Sequence, residues 1–308
     1  MAKKQQDAAL KYSRVSPTAN VIFSLIFILL ALLCFLPALL VCIVSFSSEA
    51  SVLHKGYSFF PDAWSIDSYA YLARQADYVG RAFLNSIGIT VVGTCFGLIL
   101  CSTMGYALSR PNYRLRGFFT WFVFIPMLFS GGLVPSYIMN VRYLHINDSI
   151  WIFLLPSLVS VYNVIILRTF ILTTIPDTLF EAARIDGAGH FRVYVSIVLP
   201  LFKAGIATIV LFNVVSRWND WFTGMLYIKK ASLIPLQTML KNIQDNIDFL
   251  KQNAEVAGTP DGIAFLNSLP DQNLRMACTI IVIVPILCAY PFFQRYFVQG
   301  LTMGSVKE

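Results

Sequence analysis

The sequence predicts an all-α integral membrane protein with six transmembrane helices. Three observations carry that expectation. Hydrophobic residues make up 57% of the 308 and charged residues only 13%, about half the charged share of a soluble domain. The apolar residues are gathered into six runs. Each run is close to the roughly 20 residues that a helix needs to cross a hydrocarbon core of about 30 Å. The length and recurrence of these uncharged runs disfavour a large soluble all-α protein with buried helices.

Residues 1–20 form a short tail carrying Lys3, Lys4, Lys11 and Arg14. Val21–Phe46 has no charged residue and is the first span. It is about twice as long as a signal-peptide apolar core, and no small-residue cleavage site follows it, so it is expected to be permanent. Residues 47–81 read as a polar outer segment with Pro61 and the aromatics Phe59, Phe60 and Trp64. The other spans are Ala82–Ser109, Gly117–Val141, Ile150–Leu167, Leu201–Phe222 and Met276–Phe293. The third holds Pro126 and Ser130-Gly131-Gly132, with Pro135 beyond. Such breaks persist in a membrane where protein or a water-filled cavity satisfies the freed backbone groups, so this one either lines a pathway or is a packing kink. The fourth carries Pro156 and Tyr162-Asn163. Residues from about 223 to 275 read as a long outer loop with turn signals at Gly258, Pro260 and Pro270, and residues 298–308 as a second tail.

Six spans place both termini on one side. Short loops rich in Lys and Arg stay in the cytoplasm. The basic N-terminal tail and the loop with Arg110, Arg114 and Arg116 therefore put both termini there. The net charge of +7 is on this reading a topology signal, and calls for no nucleic-acid partner. The six cysteines, Cys34, Cys42, Cys95, Cys101, Cys278 and Cys288, all fall inside spans and show no C-x-x-C spacing. They read as small packing residues. His54, His145 and His190 are scattered, and no metal is expected.

The segment 176–200 is too polar to span. Pro176-Asp177-Thr178 is a helix start, with Asp or Thr able to cap free N–H groups. Leu179 to Ile185 reads as a short helix, Asp186-Gly187-Ala188-Gly189 as a tight turn that glycine tolerates in the left-handed geometry, and about Phe191–Val198 as a second short helix stopped at Leu199-Pro200. Together they make a compact cytoplasmic helix pair with a small-residue surface suited to docking. Glu181-Ala182-Ala183, then three residues, Gly187, nine residues and Ile197-x-Leu199-Pro200 resemble the EAA loop of permeases from ATP-binding cassette (ABC) importers. The resemblance extends from about the second span to the C-terminus. Arg217-Trp218-Asn219-Asp220-Trp221-Phe222, Pro235-Leu236-Gln237, Tyr290 to Phe297 and Gly304-Ser305-Val306-Lys307 are similar to the carbohydrate-uptake, maltose-permease-like group, and within it to the subfamily for complex oligosaccharides. That family often ends in Gly, where Glu308 stands here.

The resemblance implies a type I ABC importer permease fold over residues 82–297, with Glu181, Ala182, Ala183, Arg184, Asp186 and Gly187 in the ATPase-coupling element. It also implies partners: a second homologous permease, two ATP-binding cassette subunits that bind ATP and Mg, an extracytoplasmic solute-binding protein, a carbohydrate cargo and membrane lipid. Consistently, the chain has no G-x-x-x-x-G-K-[ST] loop and needs no cofactor or catalytic residue of its own. Candidate pathway residues are Asn163, Asn213, Arg217, Trp218, Asn219 and Asp220. They offer hydrogen bonds and aromatic faces to a sugar, and an ionisable group within a span is a functional candidate. Arg217 and Asp220, three apart, are expected to pair on one helix face. The bland alternative makes Trp218 and Trp221 an interfacial belt and Arg217 a snorkelling anchor. An ABC permease for another solute and a single-chain secondary carrier are the competing functions.

Overall fold

The computed structural model describes residues 16–252 and 271–304. Lys3, Lys4, Lys11, Arg14, Gly258, Pro260, Pro270 and the tail from Ser305 lie outside the described residues. Regular structure among the described residues is helical, beside an isolated bridge between Ser47 and Trp64. The chain divides into two units, Met1–Tyr71 with Asn267–Ile280 and Leu72–Leu266 with Ile281–Glu308.

In the first unit, α1 (Pro17–Ser45) begins at Ser16, whose hydroxyl accepts from Ala19 N at 3.2 Å, and Pro17 occupies the first turn where its missing N–H costs nothing. The helix leaves almost all of its large apolar side chains uncovered by protein, as a lipid-facing helix does. The segment after it is built rather than loose. Ser48 caps α2 (Glu49–Lys55), and Tyr69 on α3 (Asp67–Arg74) stacks on Phe46 at 4.7 Å and shares a 2.8 Å hydrogen bond with Ser45.

The second unit is organised on α4 (Ala76–Ser109), 34 residues without a break. At 1.5 Å per residue it is about 51 Å long, so its ends outreach a hydrocarbon core. Gly93, Gly97, Cys101 and Gly105, each four residues apart, lie buried along one face of it. A Cβ at Gly97 would lie 2.9 Å from Leu158 O, and one at Gly105 2.9 Å from Leu167 Cβ and 3.3 Å from Val164 O. This small-residue stripe lets neighbouring backbone approach closely, the main way helices gain contact in lipid.

Three described helices, α1, α4 and Gln272–Phe292 within α14 (Asp271–Gly304), are each long and apolar enough to cross a membrane alone, and six spans result if each of three bent pairs counts as one. The bends have visible causes. α5 (Arg116–Leu128) meets α6 (Leu133–Tyr143) at 115°, where Gly132 takes φ +84°. α8 (Val161–Thr174) meets α9 (Asp177–Ile185) at 80°. The charges Asp177, Glu181 and Arg184 make α9 an exit from the apolar layer rather than the second half of a span. At 14 residues, or about 21 Å, α8 is completed by the sequence before it: the short α7 (Trp151–Leu154) and the non-helical stretch 155–160 containing Pro156. α10 (His190–Leu201) lies at 83° to Gly205–Trp218, the greater part of the next helix, α11 (Lys203–Trp218). Leu199-Pro200 does not stop α10. Pro200 cannot donate to Ser196, and the chain accommodates this with a π-helical turn over Tyr194–Val198 that carries on to Leu201. α12 (Phe222–Tyr227) and α13 (Leu236–Gln252) complete this unit with the rest of α14.

Candidate coupling segment and pathway residues

α9 starts without a side-chain cap. Pro176 is the capping position, and Asp177 places its charge in the first turn, where it complements the helix dipole. The end of α9 is closed by backbone alone. Gly187 N donates to Arg184 O at 3.1 Å and Ala188 N to Ala183 O at 2.9 Å, with Gly187 at φ +74°. This is a Schellman turn, and it requires the left-handed residue that glycine supplies. Ala183 packs inward with Tyr106, Ile171, Ile175, Val193 and Tyr194. Glu181, Ala182, Arg184, Asp186 and Gly187 face outward. Two large apolar side chains flank them, Ile185 at 86% exposure and Phe191 at 79%. The six residues singled out from sequence therefore split into one packing residue, Ala183, and five surface residues. Beside them lies a cavity of about 490 Å³ lined by Arg110, Asp177, Phe180, Glu181, Arg184 and His190 among others.

The candidate pathway residues separate into three groups. Asn163 and Asn213 are brought together, with Asn163 Nδ2 donating to Asn213 Oδ1 at 3.2 Å between α8 and α11. Arg217 lies on the same face of α11 as Asn213, one turn on. It does not pair with Asp220, because α11 ends at Trp218 and the helix face expected to join them does not exist. Its guanidinium instead donates to Phe153 O (3.1 Å), Ser157 Oγ (2.9 Å) and Ser157 O (2.7 Å), satisfying carbonyls freed by the break between α7 and α8. Gly93 of α4 has no side chain to obstruct it. Asn219 and Asp220 belong to the turn after α11. Asn219 Oδ1 accepts from Gln237 Nε2 at 2.9 Å, and Asp220 Oδ1 accepts from Thr223 N at 3.0 Å, capping α12. Trp218 is 5% exposed, with Nε1 donating to Val282 O at 3.1 Å and its ring edge-on to Phe83. It is neither an interfacial anchor nor an open stacking platform in this conformation.

Sequence reasoning passed over the stripe on α4 and the side chain of Arg110. The four-residue recurrence of small residues was the available signal for the first. Arg110 was read as a topology charge, yet its side chain is buried.

Bent helix pairs between long apolar helices, with a solvent-exposed turn at Gly187, are the architecture of an integral membrane protein. The chain belongs to the family described as binding-protein-dependent transport system inner membrane component, which matches residues 93–303 and so includes both the coupling segment and α11. It is similar to the polygalacturonan/rhamnogalacturonan transport system permease protein YtcP of Bacillus subtilis (strain 168), at 34% identity over 280 residues, covering 91% of this chain and 95% of that one. Protein LplC of the same organism is 36% identical over 273 residues, covering 88% and 89%. Among solved structures, a bacterial ABC transporter involved in the import of the acidic polysaccharide alginate matches with TM-score 0.77 and 30% identity, over 93% of this chain and 99% of that chain.

Proposed function

We propose that the chain is the membrane-spanning permease subunit of an ATP-driven importer, that it forms half of the translocation pathway, and that its cargo is an oligosaccharide. The observation that carries the coupling role is the turn at Gly187, which presents Glu181, Ile185 and Phe191 on one exposed element. The cargo class rests on the polysaccharide and oligosaccharide permeases to which the chain is similar. On this reading a second homologous permease completes the pathway. Two cassette subunits bind ATP and Mg and hydrolyse the nucleotide, and an extracytoplasmic binding protein delivers the sugar. The chain is not itself an enzyme.

Residues 1–20 and 298–308 are cytoplasmic tails in this arrangement. Residues 21–46 are the first span, 47–81 and about 223–275 face outward, and 82–297 form the permease core with the coupling loop 176–200. Support for the sidedness comes from Arg110, Arg114 and Arg116, which follow the same end of α4 that packs against the coupling segment. Asn163, Asn213, Arg217 and Asn219 are the residues we place along the pathway, with Arg217 shaping it. ATP binding draws the cassettes together, the coupling segment moves with them, and the pathway alternates between outward and inward access.

The test is reconstitution of the complete importer in proteoliposomes. Uptake of a labelled oligosaccharide should require ATP, the cassettes and the binding protein, whereas transport by this chain alone would identify a secondary carrier. Glu181→Lys and Gly187→Asp should insert normally, lose the cassette subunits on co-purification and abolish uptake. Among the described residues beyond its chain neighbours, none comes within 4 Å of a Cβ built at Gly187, so the cost within the subunit is a backbone strain of roughly 1 kcal/mol, too little to unfold it.

A further inference from the structure

The coupling segment is tied to α4 by a contact that the topology reading of Arg110 does not anticipate. Arg110 follows the last residue of α4, and its backbone N caps that helix by donating to Ala107 O at 3.2 Å. Its side chain turns inward and is 8% exposed. The guanidinium carbon sits 3.5 Å above the ring centroid of Phe180 on α9 and 5.4 Å from that of Tyr106 on α4. Nε donates to Ser109 Oγ at 3.0 Å, and the guanidinium forms no ion pair among the described residues. A charge is costly to bury without compensation. Here the compensation is chiefly the face of an aromatic ring, and Arg is the cation best shaped to lie flat on one. Burial draws the Arg110 guanidinium below its ordinary pKa, while Tyr106 and Asp177 oppose the shift.

The same end of α4 gathers the rest of the segment. Ser102 Oγ and the Tyr194 hydroxyl share a buried 2.6 Å hydrogen bond, and the Tyr106 and Tyr194 rings lie 5.5 Å apart. Arg168 Nε of α8 donates to Leu108 O at 3.1 Å. Tyr194 and Arg168 pack against α4 from elements already continuous with the coupling turn. Arg110 differs in that it reaches onto the ring of Phe180 in α9 itself, one residue from Glu181, and borders the 490 Å³ cavity.

We infer that the Arg110–Phe180 contact is a mechanical joint, through which displacement of the coupling helix α9 is delivered to α4. This rests on the coupling reading of residues 176–200. Arg110 is thus a positioning residue for transport. An aromatic–guanidinium stack suits such a joint, because its energy tolerates sliding of the guanidinium over the ring better than a bidentate ion pair would.

The experiment uses the complete importer in proteoliposomes and reads uptake per ATP hydrolysed, with cassette co-purification beside it. Arg110→Met and Phe180→Leu should keep the cassettes bound and lower uptake per ATP by about fivefold or more, the usual scale of coupling between sites. The double variant should be no worse than either single one, since both remove the same contact. Phe180→Tyr should transport like the parent, and Arg110→Lys should fall between, because an ammonium also attracts a ring but does not lie flat on it. Should Arg110→Met fail to reach the membrane, Phe180→Leu and Arg110→Lys decide the matter. Parent-level uptake per ATP in both single variants, or losses that multiply in the double variant, would overturn the inference. If the joint variants behave like the parent while Glu181→Lys and Gly187→Asp lose the cassettes, the joint alone is refuted. If those two also keep the cassettes and transport, the coupling reading falls.

Discussion

Arg217 offers the sharpest separation between shaping the pathway and touching the cargo. Replacing it with Met keeps most of the stem volume and removes every donor. Phe153 O would retain the Ser157 hydroxyl at 2.8 Å, but Ser157 O has no other partner among the described residues. An orphaned carbonyl costs about 1–3 kcal/mol, and the two other lost bonds about 1 kcal/mol each. Relief from burying an unpaired cation offsets part of this. The expected net loss is about 3 kcal/mol, or about a hundredfold in the balance between an intact and an opened break. Arg217→Met should therefore lower the thermal denaturation midpoint of the purified importer and reduce maximal uptake, with little change in the cargo concentration giving half-maximal rate. Arg217→Lys can satisfy one carbonyl and should recover part of the stability. A variant of unchanged thermal stability whose half-saturating cargo concentration rises tenfold would show instead that the guanidinium holds the sugar.

Gly97→Ala must push Leu158 O outward by about 0.5 Å to restore an ordinary contact, at a cost of about 1–3 kcal/mol; detergent-resistance midpoints should fall, and an unchanged midpoint would mean that the stripe is not closely packed. Asp148 accepts from the N–H groups of Lys229 and Lys230, and these bonds hold its carboxyl below the usual carboxylate range. Its contribution to that turn is therefore full above about pH 4, the ordinary carboxylate value, and is lost as pH falls through the lowered one. The protection factors of the Lys229 and Lys230 amides, taken relative to the intrinsic exchange rate at each pH, should fall only in that acid window and show no such step in Asp148→Asn, and protection persisting to the bottom of the window in the parent would contradict the assignment. A cysteine at Gln244 should react with an impermeant maleimide from outside intact cells and one at Glu181 should not; the reverse pattern would invert the topology.

How far the fold was legible depended on how local its causes were. α1 and α4 each run unbroken through a long apolar stretch, α1 even across Pro37, and both stand out in the sequence. The turn at Gly187 was legible for the same reason. Gly187 sits between two short helical patterns, and a left-handed residue there needs only the backbone bonds to Arg184 O and Ala183 O. The pairing of Arg217 was not legible. Spacing alone placed Asp220 one turn away, but the helix ends at Trp218 and carbonyls about 60 residues earlier in the chain, at the α7–α8 break, claim the guanidinium. The packing of Trp218 and Arg110 was not legible either. Tryptophan near a span end and arginine in a short loop fit interfacial roles, and only the tertiary partners Val282 O and the Phe180 ring reveal that both are packed.

The breaks and the stripe together indicate how such a chain can move without coming apart. A span interrupted at residues 155–160 cannot carry thrust as a rod, because its two helical pieces are joined by backbone that answers to Arg217 rather than to its own ladder. α4 can carry it. It has 34 residues of unbroken hydrogen bonding, and along Gly93, Gly97, Cys101 and Gly105 it lies close enough to α8 and α11 for a shift to be felt at their backbones. Arg217 and the Asn163–Asn213 pair lie where α4, α8 and α11 meet. On the function proposed above, a shift of α4 therefore reaches Arg217 directly, where Gly93 leaves room for it, rather than through the broken span.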